Sequence, residues 1–374
     1  MKHIAIIGTG GIASQHIESY LHFADRCRIV ALCDIDPAKT RSRAEEYGLE
    51  GVRHYTDYQA MLADPDLTLD IVSITTPPFT HRDIAVAALD SGRDVLCEKP
   101  MAPSVAECDD MLDAARRNGR VCVSVAQNRF ATPMARQQAV IASGLAGRPL
   151  YILAESVWWR GTEYYDMWWR GTWEKEVGGC TLNVGVHQID QLLWIMGMPS
   201  EVTSIAANLS HSNSEVEDLS LSLLRFPSGA LGEFNCSNIH HGEQRTILVQ
   251  CEKAGVWSPW QVRANLPGAG GFPYRDTETE QALQAFHDTL PPQPYENLFF
   301  CQIENFLDHL ESGVPLRSDG TDGRNAVEFV SAIYKSAFTR ATVTLPLAKD
   351  DPFYTRQGVT EHAVRYHQKN PGRS

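Results

Sequence analysis

A chain of 374 residues is long for a single hydrophobic core and points to two domains of ordinary size. Its 43% hydrophobic and 21% charged residues are those of a soluble globular protein, and no apolar run approaches a membrane span. A formal net charge of -13 argues against a nucleic-acid-binding face, and nine scattered cysteines without a Cys-x-x-Cys pair predict reduced thiols, a cytoplasmic setting and no metal site.

The first strand is expected over His3–Ile7, which leaves no room for a signal peptide. It runs into Gly8-Thr9-Gly10-Gly11-Ile12-Ala13, the G-x-G-x-x-G/A pattern in its confirming context, after a strand and at the opening of an amphipathic helix. Glycines there let the backbone turn tightly and approach a pyrophosphate, which rests on helix N–H groups. The next apolar run, Arg28–Cys33, ends at Asp34, about twenty residues on, where an acid binds the adenosine ribose hydroxyls. Asp34-Ile35-Asp36-Pro37 also reads as a helix start. Two carboxylates there, without an arginine for a 2′-phosphate, favour NAD over NADP.

Leu69–Ile74 reads as a further strand, ended by Thr75-Thr76-Pro77-Pro78 with His81 shortly after. These residues make a strand stop and a helix cap, and also a rigid backbone wall for the nicotinamide half of the cofactor. A helical pattern over Asp83–Leu89 and a Ser91-Gly92 break lead to the run Asp94–Cys97, which closes on Glu98-Lys99-Pro100. A lysine at the mouth of a parallel strand sits where open α/β sheets bind ligands, and Pro100 keeps it out of helical geometry. Ser104–Asn118 reads as a helix with a Ser104/Glu107 capping box, and Val121–Val125 as another strand. Strand and helix alternating through 3–124 predict a parallel doubly wound sheet.

From about Asn128 the pattern changes. A helix near Thr132–Ser143 and a strand through Pro149–Trp158 precede two near repeats, Trp158-Trp159-Arg160-Gly161-Thr162 and Trp168-Trp169-Arg170-Gly171-Thr172. Aromatic rings stack on sugar faces and arginine donates to hydroxyl or acidic groups, so the repeats form a pocket wall or an interface. Trp169 and Arg170, just before Gly178-Gly179, are the expected pocket members. One helix is expected over Thr181–Met196. Asn183, His187 and Asp190 fall at i, i+4 and i+7 on one of its faces, beside the apolar stripe Val186, Ile189, Leu193 and Met196. Strands at Glu201–Leu209, Asp218–Phe226, Ala230–Ser237 and Arg245–Cys251 follow, two of them joined by the hairpin signal Pro227-Ser228-Gly229. They predict an α+β domain on an open-faced, largely antiparallel sheet. Gln261–Pro294, rich in Pro and Gly, reads as a long excursion, either an active-site cover or a loose surface loop. Helices near Tyr295–Leu310 and Gly323–Phe338 close the fold, and the polar tail after Asp350 is expected to be extended. The boundaries read as 1–127 for the nucleotide-binding domain, 128–350 for the substrate and oligomerisation domain, and 351–374 for the tail.

The glycine pattern at Gly8, Thr76-Pro77 with His81, Glu98-Lys99-Pro100 and the segment Gly178–Asp190 together resemble the Gfo/Idh/MocA family, named for glucose-fructose oxidoreductase, inositol dehydrogenase and rhizopine catabolism. Gln302–Leu307 and Val343–Pro346 look like the same family's closing elements, so the resemblance covers about residues 1–348. It implies a Rossmann domain followed by an open-faced sheet domain, assembled as a homodimer or homotetramer through that sheet. It also implies that Lys99 and His187 face the substrate at the nicotinamide. Many members have aspartate four residues before the histidine, where this chain has Asn183; an amide orients an imidazole or hydroxyl but does not stabilise an imidazolium by charge.

The expected activity is NAD-dependent oxidation of a secondary alcohol of a sugar, sugar derivative or cyclitol. Lys99, His187 and Asn183 are the candidate catalytic residues, with Trp169, Arg170 and Asp190 beside them at the substrate. The expected cofactor contacts are Gly8, Thr9, Gly10, Gly11, Ile12, Asp34, Thr75, Thr76, Pro77, His81, Glu98, Lys99 and Asn128. The alternatives are an enzyme that keeps its cofactor through a sugar redox cycle or epimerisation, and a nucleotide- or sugar-sensing regulator on the same fold. The intact Glu98-Lys99-Pro100 and His187 weigh against the regulator.

Overall fold

Short runs of branched apolar residues form the first sheet, as their burial on both faces requires. The computed structural model describes residues 1–369, which divide into two units: Met1–Gln127 with Tyr295–Val327, and Asn128–Pro294 with the residues from Glu328 onward. The first unit holds β1 (Lys2–Ile7), β2 (Cys27–Cys33), β3 (Arg53–Tyr55), β4 (Ile71–Ile74), β5 (Asp94–Cys97) and β6 (Cys122–Ser124). They form one sheet in the order β3-β2-β1-β4-β5-β6, parallel throughout. Helices α1 (Ala13–His22), α2 (Pro37–Glu46), α3 (Tyr58–Ala63), α4 (His81–Asp90) and α5 (Val105–Asn118) connect them.

The register positions the site. Ile7 pairs with Cys33 on one side and Ile74 on the other, Ile74 pairs with Cys97, and Cys97 with Ser124. Gly8, Asp34, Thr75 and Glu98 therefore leave the sheet side by side at its carboxyl edge, where the strand order reverses about β1.

The second unit carries β7 (Pro149–Trp159), β8 (Glu201–Ala207), β9 (Leu219–Arg225), β10 (Leu231–Ser237), β11 (Ile239–Cys251), β12 (Ala254–Ser258), β13 (Gln261–Pro267), β14 (Pro273–Arg275) and β15 (Val343–Thr344). Their order is β14-β13-β12-β11-β7-β10-β9-β8-β15, with β7 and β10 parallel and every other pair antiparallel. Along β9, Ser220, Ser222 and Leu224 point inward while Leu221 and Leu223 lie on an open outer face with Ile205 and Leu231. The helices of the chain from here on are α6 (Thr132–Ala142), α7 (Cys180–Asn183), α8 (Val186–Met196), α9 (Thr277–Thr289), α10 (Leu298–Ser312), α11 (Gly320–Thr339) and α12 (Arg356–His362).

Four expectations change. A single cut at residue 127 does not describe the units, because Phe299, Ile303, Phe306 and Leu307 of α10 join the core of the first unit with Ile17 and Tyr20. Gln261–Pro294 is not a loose surface loop; it forms β13, β14 and an α9 capped by Asp276, with its glycines gathered at the hairpin tip 268–271. The helix expected over Thr181–Met196 breaks at Val184-Gly185: a Cβ on Gly185 would stand 2.6 Å from the Thr181 carbonyl and 3.0 Å from Phe234 and Cys236. The tail is not simply extended, since 351–369 holds a turn of 3₁₀ helix at Pro352–Tyr354 and then α12; residues 370–374 of the expected tail lie outside the described residues.

Candidate functional site

At the end of β1 the chain must turn against its neighbour. Gly8 adopts φ +90°, and a Cβ there would lie 2.8 Å from the backbone of Thr75 and Thr76, so only glycine fits. Gly10 and Gly11 differ: a Cβ on either would meet no atom within 4 Å. Packing within the chain does not demand glycine there, whereas an approaching pyrophosphate does. The helices α2, α3 and α5 are capped by Asp36, Asp57 and Ser104, but α1 opens at Ile12 with no side-chain cap and no acid in its first turn. No side chain occupies the positive end of its dipole, which is left for an anion, so the residues present fit a dinucleotide.

Asp34 is half-buried, and its Oδ2 accepts from the Thr9 amide at 2.8 Å and the Thr9 hydroxyl at 3.1 Å. The acid thus braces the glycine turn from the position expected for ribose binding. Sequence reasoning missed Arg43 of α2. Its guanidinium donates to the carbonyls of Thr9 at 3.3 Å and Gly10 at 3.2 Å and pairs with Glu46 at 2.6 Å. An arginine does stand beside this turn, but it is engaged with backbone oxygens and a carboxylate.

Thr76 and Pro77 are half-exposed at the same edge, as a cofactor wall requires. Thr75, His81 and Glu98 are buried and belong to the frame behind it. The Thr75 hydroxyl donates to the carbonyls of Ile7 and Gly8, where β1 passes into the glycine turn. The ring nitrogens of His81 lie 2.8 Å from the Thr76 carbonyl and 3.0 Å from the Pro100 carbonyl, and burial lowers its pKa. One oxygen of Glu98 lies 3.0 Å from His16 Nε2, and the other accepts from the Lys99 amide at 3.1 Å. Burial opposes the charge on Glu98, yet His16 and Lys99 hold it below the usual carboxylate range. Lys99 itself is partly exposed.

In the second unit, Val177 is held at φ +60°, an outlier for a β-branched residue that costs about 1–3 kcal/mol and marks an over-determined backbone. Two residues on, the buried Glu217 fixes the chain. Its oxygens accept from the amides of Gly179 and Thr181 at 3.0 Å each and from the Tyr334 hydroxyl at 2.9 Å, clamping the start of α7. Asn183 donates from its amide to the carbonyls of Gly178 at 3.2 Å and Gly179 at 3.3 Å. After α7, the Gly185 amide reaches back to the Cys180 carbonyl, a five-residue π-type turn of the sort that marks functional sites. Between 176 and 192 every residue is buried except Asn183 and His187. The expected polar pair therefore survives the break in the helix, and these two side chains alone open from that stretch.

Asp190 does not join them. Both its oxygens accept from the buried guanidinium of Arg129, at 2.9 and 2.8 Å, so it drops out of the substrate set. Arg170 lies against Trp169 at 4.6 Å and Tyr164 at 4.2 Å, donates to the Tyr164 hydroxyl, and is 3.5 Å from Glu176, a carboxylate pushed up to about 7 by burial against the pull of Arg170. Trp158 is flanked by Arg160 at 4.8 Å and Arg245 at 5.2 Å. Asn128 caps a turn, its carbonyl accepting from Ala131, and falls in the second unit. Among the described residues no cluster of three metal-ligating side chains occurs, and no helix is long and apolar enough to cross a membrane.

A glycine turn on an uncapped helix, an acid at the end of the next strand and a lysine at the sheet's reversal edge define a dinucleotide-binding oxidoreductase domain. The family model for the oxidoreductase family with NAD-binding Rossmann fold matches residues 2–127, and the GFO/IDH/MocA C-terminal domain model matches residues 134–257. The chain belongs to the GFO/IDH/MocA family, as the resemblance implied. It is 25% identical over 360 residues to the D-glucoside 3-dehydrogenase of Escherichia coli, covering 91% of this chain and 97% of that one. It is 24% identical over 357 residues to the inositol 2-dehydrogenase of Salmonella typhimurium, covering 93% and 98%. A solved WlbA dehydrogenase from Bordetella pertussis, in complex with NADH and UDP-GlcNAcA, superposes with a TM-score of 0.79 at 26% identity, over 93% of this chain and 98% of that one.

Proposed function

We propose that the protein is a cytoplasmic NAD-dependent dehydrogenase that oxidises a secondary alcohol of a sugar, sugar derivative or cyclitol. NAD supplies the hydride acceptor. Lys99 takes the hydroxyl proton as hydride leaves the carbinol carbon, directly or through one water, and returns it to the ketone in the reverse direction. His187 binds and orients the hydroxyl, Asn183 fixes the turn that presents His187, and Trp169 with Arg170 forms a wall for the sugar ring. The observation that carries the reading is the partial exposure of Asn183 and His187 alone in an otherwise buried stretch, in a chain whose other unit offers Lys99 beside a fitted dinucleotide turn. The named substrates of its relatives, glucosides and inositols, support the substrate class.

Assembly of identical copies through the open sheet face belongs to the same reading. Ile205 and Leu223 are 67% and 63% exposed there, more apolar surface than a monomer needs in one place. The test is a panel of glucosides, inositols and nucleotide-linked sugar acids with NAD, following absorbance of the reduced nicotinamide. Reduction with at least one polyol is expected. NAD binding without reduction by any member would refute the dehydrogenase reading.

A further inference from the structure

Lys99 is flanked by two residues, and each is held by a buried histidine from a different helix. On the Glu98 side, His16 of α1 places Nε2 3.0 Å from Glu98 Oε1 and Nδ1 2.7 Å from the Ser73 hydroxyl, which also accepts from Tyr20 at 3.3 Å. The second Glu98 oxygen takes the Lys99 amide. With Ser73 donating to Nδ1 and Nε2–H donating to Glu98, every member of the chain has a partner. On the other side, His81 of α4 places Nδ1 3.0 Å from the Pro100 carbonyl and Nε2 2.8 Å from the Thr76 carbonyl; with the proton on Nδ1 the neutral ring donates to Pro100. His16, Ser73 and His81 are wholly buried, so neither histidine touches substrate. A polar network in such a place costs desolvation that an apolar side chain of similar size would avoid. What it adds is direction: both branches end on backbone atoms within one residue of Lys99.

We propose that His16 and His81 are positioning residues that fix the Lys99 backbone from its two sides, His16 through Glu98 and His81 through Pro100. The proposal rests on the reading of Lys99 as the proton carrier. A displacement of about 1 Å at a reacting group lowers turnover by about 10²-fold, so a loss of about 10- to 100-fold in kcat is the expected scale.

The test compares His16→Gln, His16→Leu and His81→Leu with the parent by three measurements. These are kcat and KM on the best polyol, NAD affinity by calorimetry, and the pH dependence of Lys99 acylation by acetic anhydride, read by peptide mass spectrometry. His16→Gln, whose amide nitrogen reaches the Nε2 position, is expected to keep most of kcat. Both leucine variants are expected to lose kcat on the scale given, with KM and NAD affinity close to those of the parent and a moved Lys99 profile. A packing role predicts the reverse order, with leucine equal to or better than glutamine, and that result overturns the proposal. A moved Lys99 profile with parental turnover upholds the positioning and instead removes Lys99 from the chemistry. Turnover abolished by Lys99→Met, with both leucine variants parental in every measurement, refutes the positioning and leaves the dehydrogenase reading standing. Should His16→Leu fail to fold, Ser73→Ala removes the Nδ1 partner at little cost in volume and carries the same comparison.

Discussion

Asp190→Asn separates a structural role for this acid from a place at the substrate. Its carboxylate and the Arg129 guanidinium are 10% and 2% exposed and share two hydrogen bonds, while Arg129 also lies 5.4 Å from the Trp194 ring. Removing one charge from such a pair leaves the other buried without its counterion, at a cost of about 3–5 kcal/mol. Arg129→Met should cost about as much, and the double variant Arg129→Met/Asp190→Leu should recover most of the loss, because replacing a whole buried pair by packed apolar groups is often neutral. Urea unfolding followed by tryptophan fluorescence suits the question, since all eight tryptophans lie between residues 158 and 260 and report the second unit alone. The expected result is a lowered midpoint with an unchanged slope and a KM close to that of the parent. Parental unfolding together with a raised KM would refute the reasoning and return Asp190 to the substrate site.

Lys99→Met should lower kcat by about 10²–10⁴-fold while calorimetry finds NAD binding unchanged; turnover within a few-fold of the parent would contradict it. Titration should find NAD bound more tightly than NADP, because Asp34 repels a 2′-phosphate and Arg43 is tied to Glu46 and the glycine-turn carbonyls; tighter NADP binding would mean Arg43 leaves those partners. Glu176 gives a pH signature. Burial raises its pKa from 4.5 to about 7, so ionisation opposes folding, and stability present below pH 4.5 is lost as pH rises through 7. At about 1.4 kcal/mol per unit, Glu176→Gln should gain about 3 kcal/mol on the parent between those limits in urea unfolding, and parallel pH profiles would refute it.

The nucleotide half was legible because its signals are local. A glycine turn, the residue after each strand and a capped helix sit within a few positions of one another, and a parallel sheet in register brings strand ends together wherever they fall in the chain. What sequence could not supply were partners distant in the chain. Periodicity marks α10 as amphipathic but does not say which core its Phe299 and Phe306 enter. Asp190 lies at the correct helical offset from His187, and only the position of Arg129, 61 residues earlier, removes it from that face. His16 did carry a signal, since with Ala13, Ile17 and Tyr20 it shares the buried face of α1, where an ionisable ring needs a partner. Composition misled once. The prolines and glycines of Gln261–Pro294 suggest a long excursion, but they sit around one hairpin tip and after α9.

Asn183 is where the sequence reading and the structure inform each other most. Compared with an aspartate at that position, an amide looks like the loss of a charge that would support His187. The structure gives the amide a task no carboxylate performs, since its nitrogen donates to the carbonyls of Gly178 and Gly179. Those residues lie beside Val177 at φ +60° and under the Glu217 clamp. Asn183→Asp would replace the donating nitrogen by an acceptor facing two carbonyl oxygens, a loss of about 1–3 kcal/mol. The same carboxylate, four residues before His187 and half-buried like it, favours the imidazolium and should move the acid limb of kcat/KM upward. The variant is therefore expected to be less stable than the parent by tryptophan-monitored unfolding and shifted in its pH profile, with kcat at the optimum largely kept under the proposed role of Lys99 as proton carrier. His187→Gln should raise KM more than it lowers kcat. A His187→Gln loss of kcat equal to that of Lys99→Met would reverse the order of the two residues. An Asn183→Asp variant as stable as the parent would show that the hinge does not depend on the amide.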